Sequence, residues 1–192
     1  PNTGKILALA NFPSFDLNQY AKVGNLEIFQ NGAVQKVFEP GSIFKPFTMA
    51  MALDKNRVTP ETKFTDTGSV TIGPNTIHNF DRRVYGEQDM SGILEKSINT
   101  GAVFLSQRIG RQTFIDYIDA FGFNNKTGVD LQGEVSSRNE VLKSGSDLGF
   151  ATASFGQGIE MTPLQLARAL AVFANGGRIV KPYLVERIIK ED

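Results

Sequence analysis

The chain contains no cysteine, which excludes disulfides, thiolate zinc sites and cysteine nucleophiles together. Its single histidine, His78, makes a multi-histidine metal centre impossible and leaves one residue for any serine–histidine pair. Neither sign of charge is in excess, since 20 Lys plus Arg stand against 20 Asp plus Glu. A nucleic-acid binder would show a basic footprint, so nucleic acid is not expected as a partner. No apolar run approaches the ~20 residues of a membrane helix, and no signal-peptide pattern opens the chain. The acidic residues form no cluster with metal-ligand spacing, so neither a metal nor a cofactor is expected.

What is there is globular stock. With 192 residues, 41% of them hydrophobic and 21% charged, the chain can bury the core of one domain and is too short for two ordinary ones. It opens Pro1-Asn2-Thr3-Gly4 without an initiator Met and stops just past an apolar stretch, as expected of a piece of a longer protein.

Residues 5–11 read as a strand entering a turn at Pro13-Ser14, and 15–39 as irregular. The run from Ser42 to about Lys55 reads as a buried helix. Its Pro46 must lie in the first turn, because deeper in it would forfeit an internal hydrogen bond; this puts Ser42 at or next to the N-cap. Val70-Thr71-Ile72 is a short strand in a Thr-, Gly- and Asn-rich stretch. A helical pattern over 90–109 is broken around Ser97–Gly101. Phe114, Ile115, Ile118 and Phe121 share a helix face that Gly122 ends, and 123–147 read as extended loop. Thr162-Pro163-Leu164-Gln165 combines a capping hydroxyl, proline at the first helical position and Gln three residues after the cap. Gly176-Gly177 stop that helix, and 178–189 resume as strand. The expected class is a mixed α/β (α+β) domain.

Ser42 and Lys45, three apart on a helix, share a face with Cβ atoms roughly 5–6 Å apart. A neutral lysine can take a serine proton, and burial is one way to make lysine neutral. Lys45 stands among Ile43, Phe44, Pro46 and Phe47, a suitably apolar setting. Such a pair also arises roughly once by chance in a chain of this length, and a serine that merely caps a helix fits equally. Ser97-Ile98-Asn99 sets a hydroxyl and an amide within an apolar helical pattern, costly unless they face a cavity or each other; a helix break with satisfied caps is the alternative. Lys126-Thr127-Gly128 spells a triplet found with Ser-x-x-Lys in serine acyl-enzymes, but its flanks read as loop, so Lys126 is set aside. His78 reads as a surface residue of a polar loop, and Gly156-Gln157-Gly158 as a tight turn rather than an anion cradle.

From Phe38 to Thr48 the chain resembles the transpeptidase domain of class B penicillin-binding proteins. Thr3–Ala8 with Pro13–Asp16 looks like that domain's first strand and turn. Ser97-Ile98-Asn99-Thr100 looks like its second motif, where the middle residue is usually Ser. Thr127–Leu131 with Gly133-Glu134, then Gly156-Gln157-Gly158, Thr162–Gln165 and Asn175–Gly177 match further landmarks in order. The resemblance implies a serine β-lactamase/transpeptidase-like fold, a central antiparallel sheet flanked by helices. Residues 1–192 would be a partial, truncated domain, the family's Lys-Thr-Gly strand, upstream domain and membrane anchor lying outside it.

The implied activity is cross-linking of peptidoglycan stem peptides at the extracytoplasmic face of the bacterial cytoplasmic membrane, with division or elongation proteins as partners. In it Ser42 attacks, Lys45 takes the proton, Ser97 relays it, and Asn99 holds lysine and substrate amide; β-lactam antibiotics would acylate Ser42 in the same way. A fragment without the strand is expected to be inactive or nearly so. A β-lactamase or β-lactam sensor of the same fold, and a non-catalytic cell-wall scaffold, remain as alternatives.

Overall fold

The structure, a computed structural model, describes residues 1–190. In chain order its helices are α1 (Gly32–Gln35), α2 (Lys45–Asp54), α3 (Met90–Glu95), α4 (Asn99–Ile109), α5 (Arg111–Ala120), α6 (Glu140–Lys143), α7 (Asp147–Ala153) and α8 (Pro163–Ala171). Its strands are β1 (Phe64–Asp66), β2 (Ser69–Ile72), β3 (Asn75–His78) and β4 (Gly86–Gln88). The residues sort into two compact units, one of 39–120 and 139–160, the other of 1–38, 121–138 and 161 onward.

The first of these units is built around α4, whose Ala102, Val103, Leu105 and Ile109 are buried and which packs on α2, α5 and α7. Helix α2 is anchored by aromatic contacts: Phe44 lies 5.4 Å from Phe47 and 6.2 Å from Phe114, ring centre to ring centre. Thr48, buried on α2, donates its hydroxyl to the Ser154 carbonyl at 2.7 Å, so a polar group in this core has its partner. Antiparallel pairing joins β1 to β4, Phe64 opposite Gln88, and β2 to β3, Val70 opposite Ile77. Only β2 was legible as a strand; β3 completes a hairpin around the Gly73-Pro74 turn, where Gly73 takes a positive φ of 55° that favours glycine.

The other unit is organised by α8. Thr162 and Gln165 form the expected capping box, Thr162 Oγ1 accepting from Gln165 N at 3.1 Å and Gln165 Oε1 from Thr162 N at 2.7 Å. Gln165 then donates its Nε2 to the carbonyls of Phe123 and Asn125, tying the loop after α5 to the helix start. Arg168 donates to the Gly122 carbonyl at 2.9 Å; burial lowers its pKa, against the opposing pull of Glu134.

The terminal segments differ from expectation. Residues 5–11 and 178–189 form a single parallel bridge, Lys5 to Tyr183, rather than strands of a sheet. A strand needs a ladder of backbone partners, and here the amides of Leu184 and Val185 go instead to the Asp130 carboxylate at 2.8 and 2.7 Å. Among the described residues the antiparallel pairing comprises the two ladders above, each a two-stranded sheet, and an isolated bridge, Phe38 to Met161. Within the stretches read as loop, 15–39 holds 3₁₀ turns and α1, and 123–147 holds α6.

Candidate active site

Ser42 lies in a 3₁₀ turn, Gly41–Phe44, that leads straight into α2. Pro46 therefore occupies the first helical turn, as expected. Ser42 does not cap the helix: the turn and helix N-termini have no side-chain cap, and its hydroxyl is turned elsewhere. The turn is fixed from outside by glycine. Gly41 N–H donates to the Gly156 carbonyl at 2.9 Å, and a Cβ on Gly156 would stand 2.2 Å from the Gly41 oxygen, so only glycine lets the two backbones meet. The Gly156–Gly158 stretch is thus a turn packed against the serine loop, as read from the sequence. Its Gly158 N–H is spent on the Glu39 carboxylate at 2.9 Å.

Ser97 is placed by the way α3 ends. Its N–H donates to the Leu94 carbonyl at 3.1 Å, and Ile98 N–H donates to the Ile93 carbonyl at 2.9 Å, the paired closure of a Schellman motif. That closure needs a left-handed residue just past the cap, usually glycine; here Ser97 takes it with φ 53°, at a cost of about 1–2 kcal/mol. Ile98 is fully buried, which pins the segment to the core. The helix break expected over Ser97–Gly101 therefore falls at 96–98. Gly101 lies inside α4, where a larger side chain would crowd the core: a Cβ there would come 2.8 Å from the Ile93 side chain.

These two local structures meet at Lys45. Its Nζ donates to Ser42 Oγ at 3.1 Å, to Ser97 Oγ at 2.8 Å and to the Ser97 carbonyl at 2.6 Å. Lys45 is 2% exposed, and burial brings its pKa down to about 8. Three N–H groups meet three neutral acceptors, so the geometry is satisfied with no carboxylate to hold the charge. Ser42 and Ser97 are exposed in a cleft of about 510 Å³ that is also lined by His78, Arg83, Lys96 and Asn99. Asn99 opens α4 and donates Nδ2 to the His78 carbonyl at 3.0 Å, leaving its Oδ1 and second N–H for the cleft.

The structure thus brings together Ser42, Lys45 and Ser97 and sets Asn99 on the same cleft. Lys126 belongs to the other unit, where its neighbours serve a turn. Thr127 N–H and Gly128 N–H donate to the two oxygens of the Glu134 carboxylate at 2.6 and 3.0 Å. His78 is exposed, as expected, but its carbonyl orients Asn99, a role sequence gives no signal for. Also missed was the buried group beneath it, Asp66, Asn79 and Thr100, which only the hairpin brings together.

A family model described as "Penicillin binding protein transpeptidase domain" matches residues 1–192. This chain belongs to that family. Among its relatives, stage V sporulation protein D of Bacillus subtilis is 34% identical over 190 residues, covering 98% of this chain and 29% of the relative. Peptidoglycan D,D-transpeptidase FtsI of Buchnera aphidicola is 37% identical over 195 residues, covering 99% and 32%. The apo transpeptidase domain of penicillin-binding protein 3 from Burkholderia pseudomallei superposes with a TM-score of 0.83 at 28% identity, over 97% of this chain and 51% of that one. The fold is accordingly that of the penicillin-binding transpeptidases, class B-like, with mixed helices and antiparallel strands. The chain spans under half the length of the curated relatives it matches.

Proposed function

We propose that this chain carries the acylating centre of a serine D,D-transpeptidase that cross-links peptidoglycan stem peptides. The observation that supports it most is the buried Lys45 amine within hydrogen-bond reach of both Ser42 Oγ and Ser97 Oγ. On losing one proton, Lys45 keeps two N–H groups for the Ser97 carbonyl and hydroxyl and turns its lone pair to the Ser42 hydroxyl. Ser42 Oγ then attacks the carbonyl between the two terminal D-alanines as its proton passes to Lys45. Collapse of the tetrahedral adduct breaks the peptide C–N bond. The departing D-alanine amine takes the proton back from Lys45 by way of Ser97, and the stem peptide stays esterified to Ser42.

An acceptor amine then displaces Ser42 and forms the new amide, returning the proton along the same relay. Asn99 would hold the substrate amide. The Ser42 N–H, at the start of its 3₁₀ turn, would supply one oxyanion donor. A β-lactam would acylate Ser42 by the same steps. Among the described residues lining the cleft no carboxylate stands ready to activate water, which favours transfer to an amine over hydrolysis.

The second oxyanion donor and the contact to the substrate carboxylate come, by family likeness, from a Lys-Thr-Gly strand in a longer parent. The isolated 192-residue stretch would then acylate slowly or not at all, since one missing oxyanion donor costs ~10²–10³ in rate. We place the parent at the extracytoplasmic face of the cytoplasmic membrane, anchored by another segment and working with division or elongation proteins. No helix among the described residues is long and apolar enough to cross a membrane. Labelling the full-length parent with a reporter penicillin, beside a Ser42→Ala variant, tests the reading. Label on the Ser42 peptide, absent from the variant, is expected; label that survives in the variant contradicts it.

A further inference from the structure

Directly behind Asn99 lies a carboxylate that forms no ion pair among the described residues. Asp66, at the end of β1, is 1% exposed, and four groups donate to it. Thr100 Oγ1 reaches Oδ1 at 2.6 Å and Gly68 N–H at 3.0 Å; Tyr85 N–H reaches Oδ2 at 2.8 Å, and Asn79 Nδ2 spans both oxygens at 2.9 Å. Burial raises its pKa, but the bonds from Thr100, Gly68, Tyr85 and Asn79 outweigh it and bring the net shift below the ordinary carboxylate value. A buried charge satisfied this fully holds its donors in fixed places, and losing it would orphan them.

Two of those donors act on the cleft. Asn79 turns its Oδ1 to the Thr100 N–H at 3.1 Å, capping α4 from across the fold where its own N-cap residue, Ile98, supplies no side chain. The residue before Asn79 is His78, whose carbonyl accepts from Asn99 Nδ2 at 3.0 Å. The Asn99 amide is therefore gripped by the carbonyl in front of Asn79 and by the helix start that Asn79 and Thr100 cap, and both trace to one carboxylate.

We propose that Asp66 is a positioning residue for substrate recognition: through Asn79 and Thr100 it fixes the angle at which Asn99 presents its amide to the amide of the bound peptide or penicillin. The assignment rests on the transpeptidase reading of Ser42, Lys45, Ser97 and Asn99. It makes the carboxylate matter for ligands that carry an amide arm and little for those that lack one, a distinction that general loss of structure would not produce.

The test is stopped-flow acylation of the full-length parent by benzylpenicillin, which has an acylamido arm, and by 6-aminopenicillanic acid, which has a bare amine there. Thr100→Val removes one bond to Asp66 and keeps the side-chain shape, Thr100→Ser restores the hydroxyl, and Asp66→Asn sets an amide N–H against the Asn79 amide. Thr100→Val and Asp66→Asn should slow benzylpenicillin by about tenfold or more and leave 6-aminopenicillanic acid nearly unchanged, with Thr100→Ser close to wild type.

Equal losses with both ligands, or a Thr100→Val protein that matches wild type with benzylpenicillin, overturn the assignment. Should Asp66→Asn fail to fold, the Thr100 pair decides alone. A Ser42→Ala control that is still acylated overturns the underlying transpeptidase reading, and this assignment with it; a silent control with unaltered Thr100→Val kinetics overturns the assignment only.

Discussion

Ser97 meets Lys45 twice, through its carbonyl at 2.6 Å and its hydroxyl at 2.8 Å. Both contacts depend on the left-handed backbone of Ser97, since a residue of ordinary helical φ would carry the carbonyl away from the amine. A strained conformation is held where it serves the site, and the trade is between the stability of the α3–α4 corner and the chemistry of the lysine.

Replacing Ser97 by glycine should separate those two demands. The variant relaxes the positive φ and should gain ~0.5–1 kcal/mol in stability, while acylation by a reporter penicillin should fall ~10²-fold or more with the lost hydroxyl. Ser97→Ala should show the same kinetic loss without the gain. Thermal unfolding and acylation rates on the same samples check both halves.

Lys45 sets a pH signature on stability. The folded chain releases its proton near pH 8, whereas the unfolded lysine holds it to about 10.5. Between those values the unfolded state binds more protons, so stability rises with pH there; below pH 8 both states are protonated and the full cost of the buried charge applies. The stability of Lys45→Met relative to wild type should be greatest below pH 8 and should fall as pH rises toward 10.5. Denaturant midpoints across that range measure it.

The serine loop depends on a glycine distant in sequence. Gly156→Ala must push against the Gly41 backbone, 2.2 Å from the new Cβ, at a φ of +80°, and should cost at least ~2 kcal/mol and slow acylation. Gly158→Ala meets nothing closer than 3.5 Å and should cost only the ~1 kcal/mol of its left-handed backbone. Equal losses in the two variants would show that contact with Gly41 is irrelevant.

Lys126, which spells a catalytic triplet, should prove inert. Lys126→Ala in the full-length parent should acylate at the wild-type rate, while Lys45→Ala should lose ~10²-fold or more. Disruption of the turn should come instead from Glu134→Ala, which removes the acceptor of Thr127 and Gly128 and should lower the unfolding temperature.

What could be read from the sequence was what is local. Ser42 and Lys45 are one helical turn apart, and the Thr162–Gln165 capping box is written in four consecutive residues, so spacing and hydrogen-bonding chemistry suffice for both. Ser97 stood out because a polar pair interrupts an apolar pattern. The exact corner did not, because a Schellman motif without its glycine leaves no mark, and Gly101 drew attention to the wrong residue. Asp66, Asn79 and Thr100 lie 13 to 34 positions apart and acquire meaning only when the β2–β3 hairpin closes. The terminal segments carried strand-like residues, but a strand is a relation between neighbours, and the Asp130 carboxylate takes the Leu184 and Val185 amides that a ladder would have used.

The proposed acylation needs a lysine that gives up its proton near pH 8 because it is buried beside two serines. The most direct measurement is the pH dependence of acylation of the full-length parent by a reporter penicillin, from pH 6 to pH 10 or above. The rate should climb tenfold per pH unit and level off near pH 8, where Lys45 becomes neutral. A rate that is flat across that interval, or that keeps climbing toward the 10.5 of an ordinary lysine, contradicts it.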